Sequence, residues 1–223
     1  MQWYLLKTWA GREEELVREI RRTLPEPWIH ECFVIVQERI WVRQKRNIIH
    51  EELLFPGCVF LTCTSSEPIA SQIAGIPAIA RWRRIGGLEI LRMRKEDGEF
   101  LEELAGKEHR VKLSCVLKDE QGRICKLSGP LKVYQEQIER IQFKKRYAMI
   151  HHRLWGENRI FVLGIVLKED IHRECLSKGQ SVGKLSESIY FMEDIFMEDT
   201  KLPAVEMEEI FTEDIKFPAV EMA

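Results

Sequence analysis

The segment Leu54-Phe55-Pro56-Gly57-Cys58-Val59-Phe60 restricts the fold more than any other part of the chain. Proline fixes φ and glycine reaches backbone angles closed to other residues, so Pro56-Gly57 marks a tight turn. An apolar run, Val59 to Cys63, follows at once and predicts a buried strand. The turn therefore sets the Phe55 ring at the edge of a sheet.

Around this fixed point the periodicities alternate. Trp3-Tyr4-Leu5-Leu6 reads as a short strand, whereas Leu16, Val17, Ile20 and Leu24 recur at helical spacing and predict an amphipathic helix over 12–24. Glu13, Glu14 and Glu15 in its first turn, Arg21 and Arg22 in its last, and Pro25 beyond it agree with that direction. Cys32–Val36 and Arg39–Arg43 read as strands, Gln44–His50 as a turn or tip, and a second helix is expected from Ser66 to Gly75. Leu88–Leu104 is expected as a third helix. The order β-α-β-β-β-α predicts an α+β fold in which an antiparallel sheet is flanked by helices, over residues 1–106. Residues 105–112 read as a short linker. Beyond them, Arg123–Leu127, Ile138–Gln142, Tyr147–His151 and Ile160–Leu163 are short strands between turn signals, the pattern of a small β-barrel over 107–170.

Charge divides the chain. The net charge of −2 hides a body of about +7 and a stretch, 187–223, with eleven Asp and Glu against Lys201 and Lys216. That stretch repeats itself: 193–207 (EDIFMEDTKLPAVEM) matches 208–222 (EEIFTEDIKFPAVEM) at eleven of fifteen positions. Two acidic copies with a central proline predict a disordered acidic tail over 171–223. A basic body suits a polyanion, because each phosphate contact releases counterions. Arg39, Arg43, Lys45 and Arg46, and a second group of Arg81, Arg83 and Arg84, are the candidate nucleic-acid contacts. Trp41 and Trp82 lie among them and could stack on unpaired bases. A solvated charged face with packed tryptophans explains the same residues.

Six cysteines without a Cys-x-x-Cys pair, and histidines without ligand spacing, predict neither a metal site nor a disulfide scaffold. They fit a reducing cytoplasm. No stretch is long and apolar enough to span a bilayer. No phosphate-binding loop, dinucleotide fingerprint or nucleophile elbow occurs, so no catalytic residue and no cofactor is expected.

Several motifs fall in one order: Trp3-Tyr4; Gly11-Arg12-Glu13-Glu14; Phe55-Pro56-Gly57-Cys58-Val59-Phe60; Gly129-Pro130-Leu131-Lys132; and Lys145-Arg146-Tyr147-Ala148. Together they resemble the NusG family of transcription elongation factors, in which an amino-terminal NGN domain precedes a KOW domain. The resemblance spans about residues 1–170. Cys58 stands where the family has tyrosine, Val133 where it has glycine, and no glycine occurs near Glu136-Gln137. These departures resemble a specialised paralogue of the LoaP antiterminator type.

The resemblance implies an α/β sandwich followed by a small KOW-type β-barrel and an acidic tail. It implies no enzyme activity, but binding to RNA polymerase at the clamp region of the largest subunit, through an apolar patch at Trp9, Phe55, Pro56, Gly57, Cys58 and Phe60. Further implied partners are nucleic acid (a nascent RNA leader or the non-template DNA strand) and a ribosomal protein or termination factor, met by a monomer. The outcome would be suppressed pausing and termination at particular operons. A general elongation or termination factor, or an RNA-binding KOW protein that never meets polymerase, fits the same motifs. Because 131–155 holds no glycine or proline before Gly156, and Tyr134, Ile138, Ile141 and Lys145 recur at helical spacing, that module is also expected to sample helix. One specialised member of the family makes such a switch, which would mask the polymerase-binding face.

Overall fold

A computed structural model describes residues 1–24, 29–43, 46–64, 69–171 and 175–177. The first sheet runs β2 (Glu31–Phe33), β5 (Cys58–Cys63), β1 (Gln2–Thr8), β6 (Leu88–Arg92), all antiparallel. Side chains alternate across a strand with period two, and β1 shows what that does here. Tyr4 and Leu6 face helices α1 (Glu13–Thr23), α2 (Ile69–Gly75) and α3 (Pro77–Arg84), joining Leu16, Ile20, Ile73, Ile79 and Trp82 in one core. Trp3 and Leu5 face the other way, toward helix α4 (Lys95–Ala105) with Phe100, Leu101 and Leu104. Each such buried leucine or isoleucine contributes about 1.5–3 kcal/mol relative to exposure. Helix α1 is also tied down at its end, where Arg21 donates twice to the Cys32 carbonyl, at 2.7 and 3.0 Å.

The second sheet has the order β10 (Ile138–Gln142), β11 (Tyr147–Leu154), β12 (Glu157–Leu167), β8 (Ser114–Lys118), β9 (Ile124–Leu127). Only β12 with β8 is parallel. Among the described residues no strand pairing closes β9 onto β10. A short helix, α5 (Pro130–Val133), and a 3-10 turn span that gap instead. The third sheet joins the halves: β13 (Cys175–Ser177), β4 (Arg46–Leu53), β3 (Val36–Arg43), β7 (Arg110–Val111). There β12 crosses β3 so closely that a Cβ at Gly164 would collide with the Glu38 carbonyl oxygen.

A sheet with helices on both faces thus forms, and four expectations need correction. Of Gln44–His50, residues Arg46–His50 are not a tip: β4 begins at Arg46 and pairs with β3 along its length, and Gln44 and Lys45 lie outside the described residues. Leu88–Leu104 is not one helix, because Leu88–Arg92 pairs with β1 and only then does α4 begin. Residues 105–112 are no loose linker. Val111 is buried, β7 pairs with β3, and the His109 ring stacks on Phe33 at 3.4 Å. Residues 131–155 are largely strand: Ile141 of β10 and Ala148 and Ile150 of β11 enter the core, and Ile138 packs against it across a bulge in β10. The repeated acidic stretch lies outside the described residues.

One core runs through both halves. Trp3, Leu5, Phe60 and Phe100 share it with Leu131, Tyr134, Leu154, Phe161 and Leu163 of the second sheet. That continuity positions the site.

Candidate functional site: an aromatic face and a basic surface

The turn at Phe55 has the expected chemistry. The Cys58 N–H donates to the Phe55 carbonyl at 3.1 Å, with Pro56 second and Gly57 third at φ +78°, a type II turn. Gly57 is then clamped on both sides. Its carbonyl accepts from the Thr8 N–H at 2.7 Å, and its N–H donates to Glu13 Oε1 at 2.6 Å. Glu13 is only 2% exposed, so this acid near the start of α1 holds the turn rather than merely facing a helix dipole. Replacing Glu13 by Ala should leave the Gly57 N–H buried and unbonded. A loss of about 1–3 kcal/mol in urea denaturation is expected; an unchanged midpoint would contradict the clamp.

The Phe55 ring does not face open solvent. It lies 5.5 Å from Trp155 and 5.9 Å from Phe161, both on the β11–β12 hairpin, and 5.5 Å from Phe60 behind it. Phe161 continues to Phe100 of α4 at 5.3 Å, and Phe100 stacks flat on His152 at 3.7 Å. Polar contacts lock the same junction. Asp97, 3% exposed, receives Arg94 at 2.9 and 3.1 Å and the Trp155 N–H at 3.2 Å, while the Tyr134 hydroxyl donates to Glu103 at 2.8 Å.

The candidate face is therefore covered by the second sheet. Phe60 is wholly buried and belongs to the core; Gly57 is buried too, Phe55 and Cys58 are half-buried, and Pro56 is exposed. Burial pushes the Cys58 thiol up to about 11, which keeps it neutral and unreactive. Trp9 flanks the same turn but stands apart, 45% exposed and laid across Gly87. Trp155, Phe161, Phe100 and His152 were missed in the sequence. Only the pair Trp155-Gly156, an aromatic residue in a hairpin turn, carried a signal there.

Burial against Phe100 holds the His152 imidazole below the usual histidine pKa, with Asp97 and Glu103 partly opposing it. Burial lowers His109 likewise, against Glu31. A histidine whose folded pKa is lowered contributes nothing unfavourable above its unfolded pKa. As pH falls through that value the unfolded chain takes up the proton first, and stability drops. The urea midpoint should therefore fall between about pH 7.5 and about pH 5.5, and fall less in His152→Gln. An equal fall in both proteins would remove His152 from this role.

The basic candidates are dispersed. Arg39 is spent internally: it pairs with Glu52 at 3.3 Å, donates to the Val162 carbonyl at 3.2 Å and lies over the Tyr147 ring. Trp41 is 52% exposed, its ring 3.9 Å from that of His50. Arg43 and Arg46 are backbone register partners at the ends of β3 and β4; Lys45 lies outside the described residues. Arg81, Arg83 and Arg84 lie on α3, with Arg83 and Arg84 exposed, but Trp82 between them is buried under Arg12 and cannot stack on a base.

Lys132 of the Gly129-Pro130-Leu131-Lys132 motif is exposed, while Leu131 is in the core with its N–H on Ser114 Oγ at 3.1 Å. Gly129, at φ +65°, and Pro130 start α5, so the motif builds a turn. In Lys145-Arg146, Arg146 is a buried anchor. It donates to both Asp170 oxygens at 2.6 and 2.8 Å, to Glu169 at 3.1 Å and to the Phe143 carbonyl. The Asp170 carbonyl in turn accepts from Asn47 Nδ2 at 2.6 Å. Asp170 thus ties β4 to the turn before β11, a juxtaposition no local pattern shows, while Lys144 and Lys145 beside Arg146 in sequence are exposed. The opposite character holds at a cleft of about 580 Å³ on α4, where Glu96, Glu99, Glu102 and Glu103 would repel phosphate.

Residues 1–99 match the NusG family model, described as transcription termination factor nusG. Over this stretch the chain is similar to the NusG family. Among solved structures, one titled "Domain interaction in Thermotoga maritima NusG" is 18% identical, covers 73% of this chain and 93% of its own, and superimposes with a TM-score of 0.41. No curated protein matches.

Proposed function

We propose that this chain is an antitermination and elongation factor of the NusG family that acts without catalysis in the cytoplasm. It binds the clamp region of the largest subunit of RNA polymerase through the face around Phe55, and suppresses pausing and termination at particular operons. The observation that carries the reading is the clamped Phe55-Pro56-Gly57 turn, within the stretch similar to the NusG family, presenting its ring beside the half-buried Cys58. The second sheet acts as a KOW-type module. In the described arrangement it covers that face with Trp155 and Phe161, so contact with polymerase follows its release.

Affinity for polymerase then scales with the fraction of chains that are open. A bound factor that prefers the elongating clamp by about 1.4 kcal/mol shifts the paused-to-active ratio tenfold. Nucleic acid, as an RNA leader or the non-template strand, engages the hairpin end at Arg43, Lys45 and Arg46. A general termination role is the competing reading, favoured by the description of the family model. Transcription in vitro through an intrinsic terminator, with purified polymerase and with or without this chain, separates them. Increased read-through is expected; unchanged or increased termination would contradict the proposal.

A further inference from the structure

His152 stands where the second sheet meets helix α4. It belongs to β11, yet its ring lies flat on Phe100 of α4, with centroids 3.7 Å apart and planes 8° from parallel. From there rings lead to the candidate face: Phe100 to Phe161 at 5.3 Å, and Phe161 to Phe55 at 5.9 Å. Whatever holds His152 against Phe100 therefore helps to hold the cover over Phe55.

The surroundings accept a neutral imidazole and resist a charged one. Gln137, in the 3-10 turn after α5, places Oε1 3.0 Å from His152 Nδ1. Arg159 of β12 is the register partner of His152, so it brings a positive charge to the same face. His151 and Arg153 point to the opposite face, and Glu139 of β10 goes to His151 at 2.8 Å. On α4, Asp97 and Glu103 attract an imidazolium, but neither is free to serve it. Asp97 spends both oxygens on Arg94 and the Trp155 N–H. Glu103 is exposed, where water weakens its pull, and already accepts from the Tyr134 hydroxyl. Glu96, Glu99 and Glu102 line the open cleft beside them and are equally exposed. A proton on His152 either buries a charge unpaired or draws Asp97 and Glu103 off the contacts that lock Trp155 and Tyr134. Both outcomes loosen the same junction. The low pKa that burial gives this imidazole agrees with the geometry. His109, the other histidine so shifted, stacks on Phe33 within the connection and meets no ring of the second sheet among the described residues.

We propose that His152 is a proton-operated latch: when it takes up a proton, the second sheet leaves α4 and Phe55 is uncovered. The closed form, which resists the proton, is fully favoured above the ordinary histidine range and loses its advantage as pH falls through that range. That the uncovered face then meets polymerase rests on the reading above; the latch does not.

Hydrogen exchange on the full-length protein reads the opening at the Trp155 amide, whose bond to Asp97 crosses the junction. Its rate is expressed as protection relative to the free amide at each pH. Between about pH 7.5 and about pH 5.5 that protection should fall at least about threefold in the parent and in His109→Gln. The amides that pair β1 with β5 should keep theirs. In His152→Gln, which stays polar beside Gln137 but takes up no proton, the fall should disappear. Protection that does not fall in the parent, a fall that His152→Gln retains, or an equal fall within β1 and β5 would each overturn the latch. Affinity for purified core RNA polymerase, measured over the same range, then separates the latch from the reading of Phe55. It should rise about threefold in the parent relative to His152→Gln. Opening at Trp155 without that rise would leave the latch standing and defeat the reading of Phe55 instead.

Discussion

Replacing Arg146 by Met should destabilise the protein by about 3–5 kcal/mol, the usual cost of stripping the partner from a buried charge. The Asp170 side chain is 0% exposed and holds both donors of the Arg146 fork. It also accepts the Leu167 N–H at 2.9 Å, so its carboxylate orders the chain where β12 passes into α6. Methionine keeps much of the volume and removes all the donors. Urea denaturation of Arg146→Met, Asp170→Asn and the double variant closes a cycle. The double variant should recover part of the loss, because no lone charge is then buried. Losses that simply add would mean that the pair is not coupled, and that the bridge from hairpin to second sheet rests on something else.

Trp155→Asn is expected to act on the opening of the two halves rather than on the folding of either. Trp155 and Gly156 have φ of +55° and +83° and link Leu154 to its partner Glu157, a two-residue hairpin turn. Asn-Gly is favoured at such a turn and tryptophan is not, so the local structure should gain. The substitution keeps the backbone N–H that Asp97 holds and relieves an indole N–H buried without a partner. What is lost is the ring against Phe55. Aromatic pairs contribute about 0.5–1.5 kcal/mol beyond burial, which corresponds to roughly a twofold to twelvefold rise in the open population. Alkylation of Cys58, followed residue by residue by mass spectrometry, should quicken by that factor while the urea midpoint changes little. An unchanged rate would mean that Trp155 does not hold the cover shut.

What the sequence made legible was whatever is fixed within a dozen residues. Helix α1 spans Glu13–Thr23 against an expectation of 12–24, since its apolar stripe, end charges and proline all agree. Strand β10 spans Ile138–Gln142 as expected, and the Pro-Gly turn forms where proline and glycine require one. Leu88–Arg92 was misread because Leu88, Leu91 and Ile90 satisfy helical and strand spacing alike, and only pairing with β1 decides between them. β4 was misread because Arg46-Asn47 looks like a turn, whereas Asn47 is buried on the Asp170 carbonyl.

The helical spacing over 131–145 lost to a longer-range demand. Ile141 reaches the shared core by pairing with Ala148, and Ala148 and Ile150 reach it together only as alternate residues of a strand. The candidate face was half legible. The turn that presents Phe55 is local, but the rings that cover it come from residues 155 and 161, a hundred positions away. Arg39 and Trp82 looked like free contacts for the same reason, their partners Val162 and Arg12 being remote in sequence.

The most direct test measures the affinity of purified core RNA polymerase for the parent chain, for Trp155→Asn and for Trp155→Asn with Phe55→Asp. A carboxylate at residue 55 gives up the packing on Phe60, so urea denaturation first checks that the double variant is folded, and it would have to be desolvated under the clamp. The single variant should bind more tightly than the parent, and the double variant should not bind. Tight binding by the double variant would show that the face around Phe55 is not what polymerase meets.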